Sequence, residues 1–240
     1  FAGDLRYSGM AACDTGWWAR LPTDAEDRRT WAVDADDGII ATAGIVEGFA
    51  GAGTSGATLV IAALAAMVSG GAAVGAARYN ETAAERDGEL AVIVEERRQL
   101  LTEPDAERAE LAELYEARGL SHDLARQVAD ELTARDALAA HLDAEHGLRS
   151  FTPANPVGDA VAAGLAFATG AAIPLTVVLL AGHAYDGLLT FIAVLLSLCV
   201  TSFYASRVDG VSTARTILRT VSIGAITMGL TYFGGMLLNA

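Results

Sequence analysis

Residues 37–78 read DGIIATAGIVEGFAGAGTSGATLVIAALAAMVSGGAAVGAAR, and this stretch decides the fold. Between residues 38 and 77 it carries a single charged side chain, Glu47. Hydrocarbon about 30 Å thick needs about 20 helical residues to cross, so the length suits two helices joined through the glycine-rich residues 51–55. The stretch therefore predicts a transmembrane hairpin.

Glu47 would then lie within the bilayer. A carboxylate in that position costs about 3 kcal/mol or more unless it is paired, protonated or in contact with water. Ionisable groups inside membranes mark ion and proton pathways. We therefore expect Glu47 to handle an ion or a proton.

Apolar and charged residues are segregated along the chain. The 240 residues are 52% hydrophobic, with a mean hydropathy of +0.36, yet they include 30 acidic residues and give a formal net charge of -14. Most of this charge lies in residues 81–150. The pattern predicts an all-α membrane protein with a soluble insertion. A net acidic chain attracts cations and excludes nucleic acid as a partner.

Five transmembrane helices are predicted, with a cytosolic three-helix insertion between the second and third. The first is entered through Asp34, Asp36 and Asp37, of which one or two are explained by helix capping. The spans are expected at about 37–51, 56–79, 157–181, 188–205 and 217–238. The corresponding domains are a leader at 1–33, the hairpin at 34–80, the insertion at 81–152 and the last three spans at 153–240.

Arginine placement predicts the orientation. Arg207, Arg215 and Arg219 surround the connection after the fourth span, and positive charge marks the cytoplasmic side. The N-terminus and the insertion are therefore expected in the cytoplasm. No apolar signal-peptide core precedes the first span, so that span is expected to target the chain, and we expect an integral protein of a prokaryotic cell membrane.

The insertion carries acidic helices with few basic partners one turn away. One interpretation is a solvated acidic surface. The alternative is a cation that shares oxygen ligands and relieves the repulsion between carboxylates. His141 lies one turn before Glu145, and imidazole favours a transition metal such as iron or manganese over magnesium.

Several motifs, in this order, resemble the vacuolar iron transporter family. DDGII at 36–40 is similar to the family's Asn-Asp-Gly opening of the first span, and GFAGA at 48–52 to the segment that follows it. ELAELYEARGL at 110–120, EHGL at 145–148 and GAAIPL at 170–175 resemble later family segments. The resemblance covers the chain from about residue 30 onward.

The resemblance implies a homodimer whose pore lies between two copies of the first span. It implies transport of ferrous iron, manganese or a similar divalent ion out of the cytosol in exchange for protons. No prosthetic group and no enzymatic site are expected. Asp37 matches the family's first-span aspartate, and with Glu47 it is assigned to the transport path. The implied metal-collecting positions, with His141 where some members have methionine, are Glu89, Glu96, Glu110, Glu113, His141 and Glu145.

Two positions depart from the family pattern. Family members commonly carry a methionine and an acidic residue toward the cytosolic end of the second span, where this chain has Val74 and Arg78. Arg78 could pair with Asp36 or Asp37 and close the entrance. The alternative function is therefore a non-transporting membrane protein of the same fold, which binds or senses metal and whose pore is closed by Arg78.

Overall fold

The computed structural model describes residues 25–54, 56–148, 154–181, 187–209 and 212–239, and the regular secondary structure in these ranges is entirely helical. The predicted all-α class is confirmed. Contacts divide the chain into unit 1, within Phe1–Tyr79 and Pro156–Ala240, and unit 2, within Asn80–Asn155. The helices are α1 (Ala25–Gly51), α2 (Gly56–Thr102), α3 (Pro104–Ala117), α4 (His122–His146), α5 (Pro156–Ala181), α6 (Gly187–Asp209) and α7 (Thr213–Leu238).

Four of these helices are long and apolar enough to cross a membrane, namely α2, α5, α6 and α7. α1 is not among them, because acidic side chains interrupt its apolar sequence. The helices support a membrane protein. The five-span count remains a prediction, since it requires α1 to cross as well.

α1 packs against α5, α6 and α7 within unit 1. Its apolar residues enter two buried clusters, one shared with α6 and α7 and the other with α2 and α5. The first cluster contains Ile39, Ala43, Val194, Leu198 and Met228, and the second contains Val46, Leu59, Ala63, Leu175 and Val178. The helix with the most internal charge in unit 1 is therefore also the one that the other helices surround.

Two glycines allow α1 and α5 to approach at backbone distance. A Cβ at Gly38 would collide with the carbonyl oxygen of Phe167, and a Cβ at Gly170 would collide with the carbonyl oxygen of Ala35. Small residues permit such close packing between helices in membranes. The contact aligns residues 35–38 of α1 with residues 167–170 of α5, more than two turns past Asp159, the last charged residue of α5.

The capping interpretation of the α1 acids is wrong. α1 begins at Ala25, so Asp34, Asp36 and Asp37 lie in its third turn or beyond, whereas unsatisfied helical N–H groups are confined to the first turn. Tertiary partners hold two of them: Asp36 accepts a hydrogen bond from Thr201 of α6, and Arg78 Nη2 of α2 lies 3.6 Å from Asp34 Oδ1. Residues 25–33 of the predicted leader belong to α1, and its residues 1–24 lie outside the described residues.

Unit 2 is built from the C-terminal part of α2 with α3 and α4. Pro104 begins α3 and Gly147, at φ 68°, follows the last residue of α4, in agreement with the preference of proline for helix starts and of glycine for helix ends. α4 changes direction at Asp136, whose Oδ1 accepts a hydrogen bond from the Ala139 N–H at 3.0 Å. Asp136 therefore caps the second half of α4. The core between α3 and α4 contains Leu111, Ala112, Ala129, Ala140 and Ala144.

Candidate metal site

Four metal-ligating side chains from three helices meet in unit 2. Glu96 comes from α2, Glu107 from α3, and His141 and Glu145 from the second half of α4. Each offers one ligand atom, and these atoms lie within 4.8 Å of one another. We refer to these four residues as the Glu–His cluster.

His141 lies at the centre of the cluster and is fully buried. Its Nδ1 lies 2.9 Å from Glu145 Oε1, 3.2 Å from Glu96 Oε1 and 3.7 Å from Glu107 Oε2. The shortest of these contacts, to Glu145, is a hydrogen bond when Nδ1 carries the proton, and Nδ1 is free to bind a metal ion when it does not. Glu96 Oε1 and His141 Nε2 are buried without a hydrogen-bond partner among the described residues.

The buried carboxylates of the cluster lie close to other negative charges, which is electrostatically unfavourable. Glu96 and Glu107 are 3% and 6% exposed. Burial raises the pKa of Glu96, and the nearby charge of Glu145 raises it further. Burial also raises the pKa of Glu107, with a further contribution from Glu110. A divalent cation would relieve this repulsion, and carboxylate oxygens with one imidazole nitrogen suit manganese or ferrous iron.

Three of the six predicted ligand positions lie in the cluster, namely Glu96, His141 and Glu145. Glu89, Glu110 and Glu113 are exposed and do not belong to it in the described part of the chain. Glu89 lies two turns before Glu96 on α2, too far to share one ion. Sequence reasoning missed Glu107, although it opens the series of glutamates spaced three residues apart along α3.

The two predicted path residues lie in different surroundings on α1. Asp37 is exposed, whereas Glu47 is only 4% exposed. Asp37 lies near the middle of the helix, and Glu47 lies about one turn before its C-terminal end at Gly51. Unit 1 therefore does not bring these two carboxylates together.

Replacing Asp136 by alanine is expected to weaken metal binding through the position of His141 and Glu145. Loss of a helix cap costs about 1 kcal/mol, and loosening a ligand-bearing helix costs about tenfold in metal affinity. Isothermal titration of the full chain with Mn²⁺ measures the change. Asp136→Asn, which can accept the same hydrogen bond, should retain the affinity, and equal losses in both variants would contradict the capping role.

Comparison with known proteins gives one family and several relatives. The VIT family model matches residues 29–236. The "Vacuolar iron transporter" of Acanthamoeba castellanii is 35% identical over 149 residues, which are 62% of this chain. "Vacuolar iron transporter 1" of Tulipa gesneriana is 26% identical over 205 residues, and its Arabidopsis thaliana counterpart is 25% identical over 209.

The coverage of these relatives differs. The match spans 54% of the length of the amoebal protein, but 82% and 83% of the tulip and Arabidopsis proteins. All three organisms are eukaryotes, so the expected prokaryotic cell membrane stays a prediction. Both plant matches take in more than four fifths of this chain, 83% and 85%.

Proposed function

Because the chain belongs to the VIT family, we propose that it transports a divalent metal ion, ferrous iron or manganese, out of the cytosol in exchange for protons. The observation that carries the proposal is the Glu–His cluster, in which three carboxylates surround one buried imidazole. Relatives of this chain are named vacuolar iron transporters, and four of the described helices have the length and composition of membrane spans.

In this proposal unit 2 collects the ion. The Glu–His cluster holds it, and the exposed Glu89, Glu110 and Glu113 attract cations toward unit 2 without forming part of the cluster. A chain with a net charge of -14 concentrates cations near its surface. In this proposal the insertion therefore raises the local concentration of the ion that is transported.

The exposed face of α1 supports a homodimer. Val33, Asp37, Ala41, Ile45 and Phe49 are exposed and recur every four residues, while most of the remaining surface of α1 is covered by other helices. We call these five residues the α1 stripe. A second copy packed along the stripe would cover its apolar members and place two Asp37 carboxylates beside one path for the ion.

Reconstitution of the full chain in liposomes tests the proposal. A pH gradient, acidic inside, is expected to drive Mn²⁺ or Fe²⁺ into those vesicles whose protein exposes unit 2 to the outside. Metal-sensitive dye trapped in the vesicles reports uptake, and protein-free vesicles are the control. Metal binding by the protein without any uptake would contradict transport and favour a binding or sensing protein.

The sealed-pore alternative rests on Arg78. We predicted Asp36 or Asp37 as its partner, whereas the structure pairs it with Asp34, which is buried. Asp34 lies one turn before Asp37 on α1, so the ion pair is near the α1 stripe, but the Asp34 side chain is buried whereas Asp37 is exposed. If Arg78 sealed the path, Arg78→Met would raise uptake in the same liposomes about tenfold or more, and we expect no rise.

A further inference from the structure

A cavity of about 540 Å³ lies beside Glu47, between α1, α6 and α7. Phe191, Met228, Gly229 and Tyr232 line it together with the carboxylate. The pocket is open to the surface of unit 1, and it is much larger than the space that one water molecule needs. We call it the Glu47 cavity.

Beside Glu47, the cavity and the α1 stripe lie on opposite faces of α1. Ile45 and Phe49, on the stripe, are 40% and 42% exposed, whereas Glu47 between them is 4% exposed. Each helical residue turns by about 100°, so Glu47 is rotated by about 200° from each of these neighbours. Glu47 therefore faces α6 and α7 of its own chain, opposite Ile45 and Phe49, and it is rotated by about 80° around the helix from Asp37.

The Glu47 cavity also lies at one end of unit 1. A Cβ at Gly187, the first residue of α6, would lie 3.0 Å from Glu47 Oε2. α1 ends at Gly51 and α2 begins at Gly56, so this is the end at which the hairpin turns. The chain leaves unit 1 through the opposite end of α2. Asp37 lies ten residues, or about 15 Å of helical rise, from Glu47 in that direction.

The lining chemistry suits a proton better than a metal ion. A divalent cation such as Mn²⁺ needs several oxygen or nitrogen ligands. The described lining residues offer one carboxylate and the Tyr232 hydroxyl, and the rest of their side chains are apolar or absent. Tyr232 is the other titratable group among them. A proton requires a single carboxylate in contact with water.

We propose that Glu47 is the proton-exchange group of this transporter and that it takes its protons from water in the Glu47 cavity, apart from the metal path along the α1 stripe. The carboxylate gains a proton from cavity water and later returns it, without any other bond being made or broken. This inference rests on the proposed proton-coupled transport. It assigns the metal ion to the α1 stripe and the proton to the Glu47 cavity on the side of α1 that packs against α6 and α7.

Two liposome assays on the full chain measure proton movement and metal movement separately. The first assay uses a pH gradient, acidic inside, and vesicles that contain both a pH dye and a metal dye. It measures the number of protons that leave the vesicle interior for each Mn²⁺ that enters. The second measures exchange of radioactive Mn²⁺ at equal pH and equal Mn²⁺ on both sides. Glu47→Gln is expected to lower proton release per metal at least tenfold, while exchange continues.

A second variant tests the cavity while keeping the carboxylate. A Cβ at Gly229 meets no atom within 4 Å, so Gly229→Leu fills open space in the cavity. A Cβ at Gly234 on the same helix also meets no atom within 4 Å, and Gly234 is not among the cavity residues, so Gly234→Leu is the matched control. We expect Gly229→Leu to slow proton-coupled uptake at least tenfold and Gly234→Leu to leave it unchanged.

The remaining outcomes overturn the inference in distinguishable ways. If Glu47→Gln keeps its proton coupling, the role of Glu47 is overturned while the proposed transport function stands. If Glu47→Gln does not fold, intact coupling in Gly229→Leu has the same meaning. Loss of metal exchange together with coupling in Glu47→Gln places this carboxylate in the metal path instead. Absence of metal transport by the wild type overturns the proposed function as well.

Discussion

Replacing Glu96 and Glu107 together by glutamine is expected to lower the Mn²⁺ affinity of the full chain about a hundredfold or more. The two carboxylates come from different helices and both face the His141 imidazole, so their loss removes two of the four ligand groups. A hundredfold change corresponds to about 2.8 kcal/mol of binding free energy. Isothermal titration in detergent measures the affinity.

The matched control for this double variant is Glu95→Gln. Glu95 is adjacent to Glu96 and carries the same charge, but its side chain is 55% exposed and pairs with Arg98 at 2.5 Å. An exposed ion pair contributes little to stability, so this variant should bind metal like the wild type. Equal losses of affinity in both variants would show that overall charge, and not the Glu–His cluster, determines binding.

The metal-free stability of the double variant gives an independent readout. Because folding raises the pKa of Glu96 and Glu107, the folded state binds protons more tightly than the unfolded state. The free energy of unfolding contributed by these groups therefore falls as pH rises from the ordinary carboxyl pKa through the raised values. In the absence of metal, the free energy of unfolding of the double glutamine variant should fall less than that of the wild type over this pH range. A variant that is destabilised at all pH values would indicate damage to the fold.

Asp37→Asn is expected to lower metal uptake into liposomes at least tenfold while leaving Mn²⁺ binding at the Glu–His cluster unchanged. Asp37 is the charged member of the α1 stripe, and a carboxylate is a far stronger cation ligand than an amide. Uptake and isothermal titration are measured on the same preparation. The two readouts separate passage through the membrane helices from collection of the ion in unit 2.

Asp36→Asn is the matched control for Asp37→Asn. Asp36 is the preceding residue, but it is half-buried and accepts a hydrogen bond from Thr201 of α6, which an asparagine oxygen can also accept. Uptake by this variant should stay within about threefold of the wild type, because it loses a charge away from the stripe. Equal uptake by Asp37→Asn and the wild type would remove Asp37 from the path.

Local signals in the sequence predicted the helices of unit 2 well. Proline is compatible with the first turn of a helix, and glycine readily adopts the left-handed conformation that ends one. These preferences agree with the start of α3 at Pro104 and the end of α4 immediately before Gly147. The kink at Asp136 was not predicted, because aspartate within a helical pattern is usually a solvated side chain.

Local signals in the sequence could not predict which glutamate of α3 joins the Glu–His cluster. Glu107, Glu110 and Glu113 share one spacing and one chemistry, yet only Glu107 is buried with the cluster. Packing of α3 against its neighbours makes this selection, and no property of the residues themselves does. The resemblance to a family suggested six ligand positions, of which the three-dimensional contacts bring three together with Glu107.

α1 shows a similar limit in the membrane helices. An acidic series before an apolar run is typical of a helix start, so Asp34 to Asp37 were assigned to the entrance. The structure extends the helix back to Ala25, where Asp34 contacts Arg78 of α2 and Asp36 contacts Thr201 of α6, while Asp37 is exposed. Only the partners on those helices, which are distant in sequence, make internal carboxylates acceptable there. The Glu47 cavity could not be predicted from the sequence for the same reason, because residues of α1, α6 and α7 line it together.

The most direct test is electron spin-echo spectroscopy of Mn²⁺ bound to the full chain, with histidine nitrogens labelled by ¹⁵N. We predict coupling of the bound Mn²⁺ to one imidazole nitrogen, and its loss in His141→Gln. The variant also shows which of the chain's histidines is the ligand. Stoichiometrically bound Mn²⁺ with oxygen ligands alone, in the wild type, would contradict the Glu–His cluster as the metal site.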